Sequence, residues 1–185
     1  MKLPLAYYGD PILRQKCNKV TEINQDIHQL VNDMIETLEA QKGVGLAAPQ
    51  VKHPIALFMT FAPKKDESNP EKWIPGELKI FINPKIISYS EDTSTYAQGC
   101  LSIPKVYGDV TRPFRIVVTA TDLKGNEFTE EFTDFEAQAI MHENDHINGV
   151  LFIDRLDPKE KKKLEPQLRE LKKNYDMKQK FQSKS

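Results

Sequence analysis

The chain has 185 residues, 39% of them hydrophobic and 29% charged, with a net charge of −1. That length suits one domain with a single sizeable core, and the composition excludes collagen-like, wholly disordered and disulfide-framework proteins. No stretch is apolar enough to cross a bilayer and the first ten residues lack a secretory signal, so a cytoplasmic protein with no membrane partner is expected.

Residues 8–14 (YGDPILR) read as a turn into a short helical segment with Pro11 in its first turn. Over 23–41 the apolar residues Ile27, Leu30, Val31, Met34, Ile35 and Leu38 form a one-sided helical stripe. Asn24 or Thr21 is the expected N-cap, and the helix is expected to stop at Gly43. Residues 43–50 (GVGLAAPQ) read as a glycine-bearing loop, followed by a strand over 55–61. Residues 62–77, rich in Pro, Lys, Asp and Glu, read as an exposed excursion without chemistry of its own. Residues 79–89 are β-rich and broken at Asn83-Pro84, and 115–121 pairs with 127–133 as a hairpin around Lys124, Gly125 and Asn126.

Thr133 and Asp134 then cap a second helix over 135–148, which stops at Gly149. In the tail, Leu164, Leu168, Leu171 and Tyr175 fall at helical spacing, with Pro166 in a first turn or at a kink. The order predicts an α+β fold: mainly antiparallel sheets around a central metal-binding helix, flanked by N-terminal and C-terminal helices, all within one domain over 1–185. From Arg155 to the end, eleven Lys/Arg face five Asp/Glu, so a basic helix or tail (156–185) hangs on an acidic body. Such asymmetry fits either an anionic partner or a plain solvated helix. Cys17, in the polar run RQKCNK, reads as an ordinary half-buried or surface thiol, and no disulfide to Cys100 is expected in a reducing compartment.

The central motif is HENDH (142–146) on the second helix. Residues four apart share a helix face, so His142 and His146 present both imidazoles to one ion, and Glu143 can reach a water beside it as proton-shuttling base. A catalytic site of this kind needs a third protein ligand. Gly149 is placed as in one metalloprotease pattern, but Phe152 stands where its third His would be, while Glu165 and Glu170 lie in the basic tail. Upstream, Cys100 sits beside Gly99, where backbone can approach a ligand closely. Alone, Cys100 would read as a buried apolar thiol; beside a two-His helix short of a ligand, it reads as the third donor. Asp145 either orients a ligand histidine or is a solvated surface carboxylate.

GVGLAAPQ (43–50), GCLS (99–102) and HENDH (142–146), in that order, resemble the motifs of the peptide deformylases, and YGDPILR (8–14) and Ile82-Asn83-Pro84 extend the resemblance over most of residues 4–155. It implies an enzyme that removes the formyl group from the N-terminal methionine of newly made polypeptides, releasing formate. Cys100, His142 and His146 would hold natively ferrous iron, with zinc or nickel as substitutes. Glu143 would act as general base and acid toward the metal-activated water. Gln50 and the N–H of Leu101 would act on the formamide, while Val44, Gly45 and Gly99 line the substrate site. The implied partners are N-formyl-methionyl nascent chains, and the basic tail suggests ribosome contact; no DNA is involved.

The chain departs from the family at Gln98, usually Glu, and at Met141, usually Gln. Gln98 is expected to keep a hydrogen bond to Arg112. The rivals are an endopeptidase on the same two-His helix and a non-catalytic metal or thiol sensor, which needs neither Glu143 nor the 43–50 segment.

Overall fold

The β-branched and aromatic residues of the middle of the chain build strands, and the two long apolar stripes build helices. The computed structural model describes residues 1–184. After a 3-10 turn at Pro11–Arg14 come α1 (Gln25–Gln41), β1 (Gly45–Ala47), β2 (Leu57–Thr60), β3 (Lys64–Asp66), β4 (Asn69–Ile74) and β5 (Lys79–Tyr89). Then follow β6 (Thr93–Cys100), β7 (Ile103–Pro113), β8 (Arg115–Thr121), β9 (Glu127–Thr133), α2 (Asp134–Ile147) and α3 (Pro158–Ser183). Five strands form an antiparallel sheet in the order β1-β2-β5-β8-β9, while β3–β4 and β6–β7 are separate two-stranded hairpins. The α+β expectation is met.

The sheet is covered on both faces. Phe58, Phe81, Ile116, Val118 and Phe132 pack against Ala137, Ile140 and Met141 of α2. Leu46, Leu57, Met59 and Ile82 pack against Val31, Met34 and Leu38 of α1. Alternate residues of β2 therefore enter different cores, and all four are buried. Each large side chain so buried stabilises the fold by roughly 1.5–3 kcal/mol. A third cluster joins Val106 and Val110 of β7 to Phe152, Ile153 and Leu156 and to Leu168 of α3.

Several expectations need correction. Asn24 caps α1, accepting from the Ile27 N–H at 3.1 Å, but the helix ends on Lys42 in the left-handed region (φ 53), not on Gly43. GVGLAAPQ is not a loop: it holds β1 and a 3-10 turn, Ala48–Val51. The 62–77 excursion folds as the β3–β4 hairpin. At Asn83-Pro84 β5 bulges rather than breaks; Asn83 takes φ 50, and its amide both accepts from the Val20 N–H and donates to the Val20 carbonyl, each at 2.8 Å. Thr133 stands at the N-cap of α2 without a side-chain capping bond. Pro166 lies inside α3, beyond its first turn. The β6–β7 hairpin, absent from the sequence reading, supplies half of the site.

Candidate active site

Helix α2 puts His142 and His146 one turn apart, with ring centroids 5.1 Å from each other. Against them β6 ends at Cys100, where the β6–β7 register slips between Gly99 and Cys100. Cys100 Sγ lies 3.3 Å from His146 Nε2, and one donor atom each from Cys100, His142 and His146 falls within 4.8 Å of the others. The structure thus brings together the three residues singled out from sequence.

Burial decides the charge of this cluster. It pushes the Cys100 thiol up to about 12, with the Glu143 carboxylate adding to the rise. It also holds His142 well below its usual value and His146 at about 4, so both imidazoles are neutral. A neutral thiol and two neutral imidazoles make a donor set that a cation would complete, since coordination deprotonates the sulfur. Two buried polar atoms here have no partner among the described residues, Glu143 Oε2 and His146 Nδ1. Buried orphans are rare: the Glu143 oxygen, on the cavity wall, calls for a water or a bound group, whereas His146 Nδ1 is the ring nitrogen turned away from Cys100. Burial raises the Glu143 carboxyl well above the carboxylate range; Arg112 opposes the rise and Asp145 adds to it.

In front of the cluster is a cavity of about 510 Å³ lined by Val44, Gly45, Gln50, Gly99, Cys100, Leu101, His142 and Glu143. Every proposed site residue except the deeply buried His146 opens onto it. Its size suits a small ligand or a chain end. Gln50 is buried and oriented: its Oε1 accepts from the Ala47 N–H at 2.9 Å, leaving Nε2 to donate to Ser102 Oγ at 3.2 Å and toward Cys100 Sγ at 3.5 Å. Gly45 and Gly99 are glycines for room. A Cβ on Gly45 would stand 2.9 Å from the Glu143 side chain, and one on Gly99 would stand 2.7 Å from the Tyr107 ring.

The seam between α2 and the β6–β7 hairpin is largely polar. Tyr96 donates to Asp134 at 2.6 Å, Gln98 to Gln138 at 2.6 Å, and Arg112 to Asp145 at 2.9 Å. Asp145 is therefore not a solvated carboxylate: it is 7% exposed, with Arg112 on one oxygen and Arg155 donating to the other at 2.9 Å. Gln98 does accept from Arg112, at 3.3 Å, and the same oxygen is 3.3 Å from His142 Nδ1.

Sequence reasoning missed Phe135 and Gln138, which line the cavity beside His142. Their only signal was spacing: 135, 138 and 142 share one face of α2. It also missed that Trp73, in the 62–77 excursion, meets the Phe135 ring edge-on at 6.1 Å.

The polypeptide deformylase family profile matches residues 2–162. The chain is 42% identical to the peptide deformylase of Borreliella burgdorferi over 91% of its own length and 96% of that protein. Its fold is similar to that of a plant peptide deformylase, PDF1B, with a TM-score of 0.86 at 32% identity over 95% of this chain and 92% of that one. It is also similar to the Met-Ala-Ser-bound peptide deformylase of Acinetobacter baumannii, with a TM-score of 0.77 at 30% identity over 84% of this chain and 99% of that one.

Proposed function

The chain belongs to the polypeptide deformylase family, and from that premise we propose how its own residues take the formyl group from the N-terminal methionine of newly made polypeptides. It is a hydrolase of protein biosynthesis from a metal-dependent family. The observation that carries the reading is the cluster of Cys100, His142 and His146 with Glu143 beside it on the wall of a cavity. These three residues hold one divalent ion, natively ferrous iron, with zinc or nickel as substitutes. When bound, the ion polarises the formyl carbonyl and makes water acidic enough to attack near neutral pH.

Glu143 is the general base and acid. The burial that raises its pKa suits it to hold a proton between steps: as a carboxylate it takes one from the attacking water as the new C–O bond forms, then gives it to the departing amine as the C–N bond breaks, releasing formate. Gln50 and the backbone N–H of Leu101 donate to the oxygen that gains charge. The Ala47 N–H supports this role by turning the Gln50 amide nitrogen toward the cavity. Val44, Gly45 and Gly99 line the substrate site, and Gly45 leaves room for Glu143.

Anaerobic purification with metal analysis, followed by formate release from formyl-Met-Ala-Ser, tests the assignment. Formate release with internal peptide bonds intact is expected; cleavage of internal bonds would make the protein an endopeptidase instead.

We read residues 1–185 as one catalytic domain acting in the cytoplasm. Among the described residues no helix is long and apolar enough to cross a membrane. The basic residues of α3 fit contact with the phosphate-rich surface of the ribosome, where nascent chains emerge. Co-sedimentation with ribosomes should then fall as salt rises and be lost when 156–185 is removed; unchanged association would leave the tail a solvated helix.

A further inference from the structure

A chain of side-chain amides runs from the backbone of β6 to His142, and its two ends fix its direction. Gln138 Nε2 donates to the Ser94 carbonyl at 2.8 Å and to Ser94 Oγ at 3.2 Å. Gln138 Oε1 accepts from Gln98 Nε2 at 2.6 Å. Gln98 Oε1 in turn lies 3.3 Å from Arg112 Nη2 and 3.3 Å from His142 Nδ1.

A peptide carbonyl only accepts and a guanidinium only donates. Turning Gln138 over would set oxygen against oxygen at Ser94. Turning Gln98 over would set N–H against N–H at Arg112. Both side chains are buried, Gln98 8% and Gln138 1% exposed, so such a mismatch would be costly. The one group whose role is not fixed by its own chemistry is the His142 ring. Facing an oxygen that only accepts, Nδ1 carries the proton, and Nε2 is left with its lone pair.

We propose that Ser94, Gln138 and Gln98 form a positioning relay that holds His142 as its Nδ1–H tautomer, with Nε2 presented to the metal ion. The proposal rests on the metal-centre reading above and adds to it a residue, Gln138, that no motif marks. It also accounts for the neutral residue at 98. An ionised glutamate there could not donate to Gln138 Oε1, so Gln138 would have to turn and abandon the Ser94 carbonyl. Gln98 and Gln138 therefore work as a pair.

The test uses metal-stripped full-length protein and zinc alone. Zinc affinity is read by competition with a chromogenic chelator, and the His142 tautomer by ¹⁵N shifts of the ring. Gln138→Leu leaves the Gln98 amide held by the 3.3 Å bond from Arg112 alone, without the 2.6 Å bond to Gln138; zinc affinity should fall about 10–100-fold, the usual effect of weakening an outer-sphere partner, and the second tautomer of His142 should become detectable in the stripped protein. Gln138→Met, closer in length, serves if leucine disturbs packing. In Gln98→Glu/Gln138→Leu the carboxylate accepts the Nδ1–H without needing to donate, so affinity should recover.

Parental zinc affinity and ring shifts in both Gln138 variants would overturn the relay. So would a loss that the double variant fails to recover, since that marks Gln138 as packing only. If the parent itself takes up no zinc, or Cys100→Ser binds it as tightly as the parent, the metal-centre reading has failed as well.

Discussion

The consequence of single atoms is sharpest at Glu143. Its carboxylate has an oxygen with no partner among the described residues, buried where charge is costly. Glu143→Ala should keep its metal content and lose about 10²–10⁴-fold in formate release, because proton transfer goes and the three donors stay. Metal analysis beside the formate assay checks this, and near-parental turnover would remove Glu143 as the base. Gly45→Ala tests the same carboxylate from outside. Its methyl would meet the Glu143 side chain at 2.9 Å, so turnover should drop tenfold or more while the unfolding midpoint moves little. Asp154 acts on stability instead. Burial alone would raise its pKa, but the Arg14 guanidinium and the Leu151 N–H overcome that and hold it below its ordinary value. A depressed native pKa means stability that is present above the unfolded carboxylate value and lost as pH falls through the native one. The pair is solvent-screened, so Asp154→Asn should cost about 0.5 kcal/mol at pH 7 and progressively less as the solution is acidified below the ordinary carboxylate range, read as urea midpoints at each pH.

At the scale of elements, the aromatic contact of the β3–β4 hairpin should matter to substrate binding. Trp73 braces Phe135 on the cavity wall, as does Tyr96 at 5.3 Å from the other hairpin. Edge-to-face pairs contribute roughly 0.5–1.5 kcal/mol, so Trp73→Ala should raise KM about 2–10-fold with kcat held, and Trp73→Phe should restore it. A fall in kcat alone would contradict this. The elements differ in how legible they were. β8 read directly because its inward positions, Ile116, Val118 and Ala120, are apolar at the right period, with β9 following as its hairpin partner, and α2 read from its N-terminal signal and the spacing of its motif. β6 alternates just as regularly in burial, but its inward residues are Ser94, Tyr96, Gln98 and Cys100. A strand built to serve a site replaces the hydrophobic pattern that would have announced it. The same logic hid Gln138, a polar residue on the inner face of a helix. By contrast the juxtaposition of Cys100, His142 and His146 was readable because a metal-ligand motif restricts residue type and spacing more tightly than packing does. Asp145 stayed open because its partners, Arg112 and Arg155, come from other elements and no local pattern pairs them.

Over the whole molecule, the hairpin that carries Cys100 shares no strand pairing with the five-stranded sheet that supports α2. It meets that helix mainly through directional bonds, with one ring contact between Tyr96 and Phe135, and such bonds contribute about 1 kcal/mol each when neutral and about 1.5–3 kcal/mol when a partner is charged. A cation gripped by sulfur from one side and nitrogen from the other would therefore behave as a rivet between two plates. Withdrawing it should let the plates part before either one melts. Amide hydrogen exchange after chelation should accelerate across 93–113 while α1, clasped between its own leucines and the far side of the sheet, keeps its protection. Uniform acceleration along the chain would mean the plates are welded by other means. If the rivet holds, cells short of the ion would face loosened protein as well as idle enzyme.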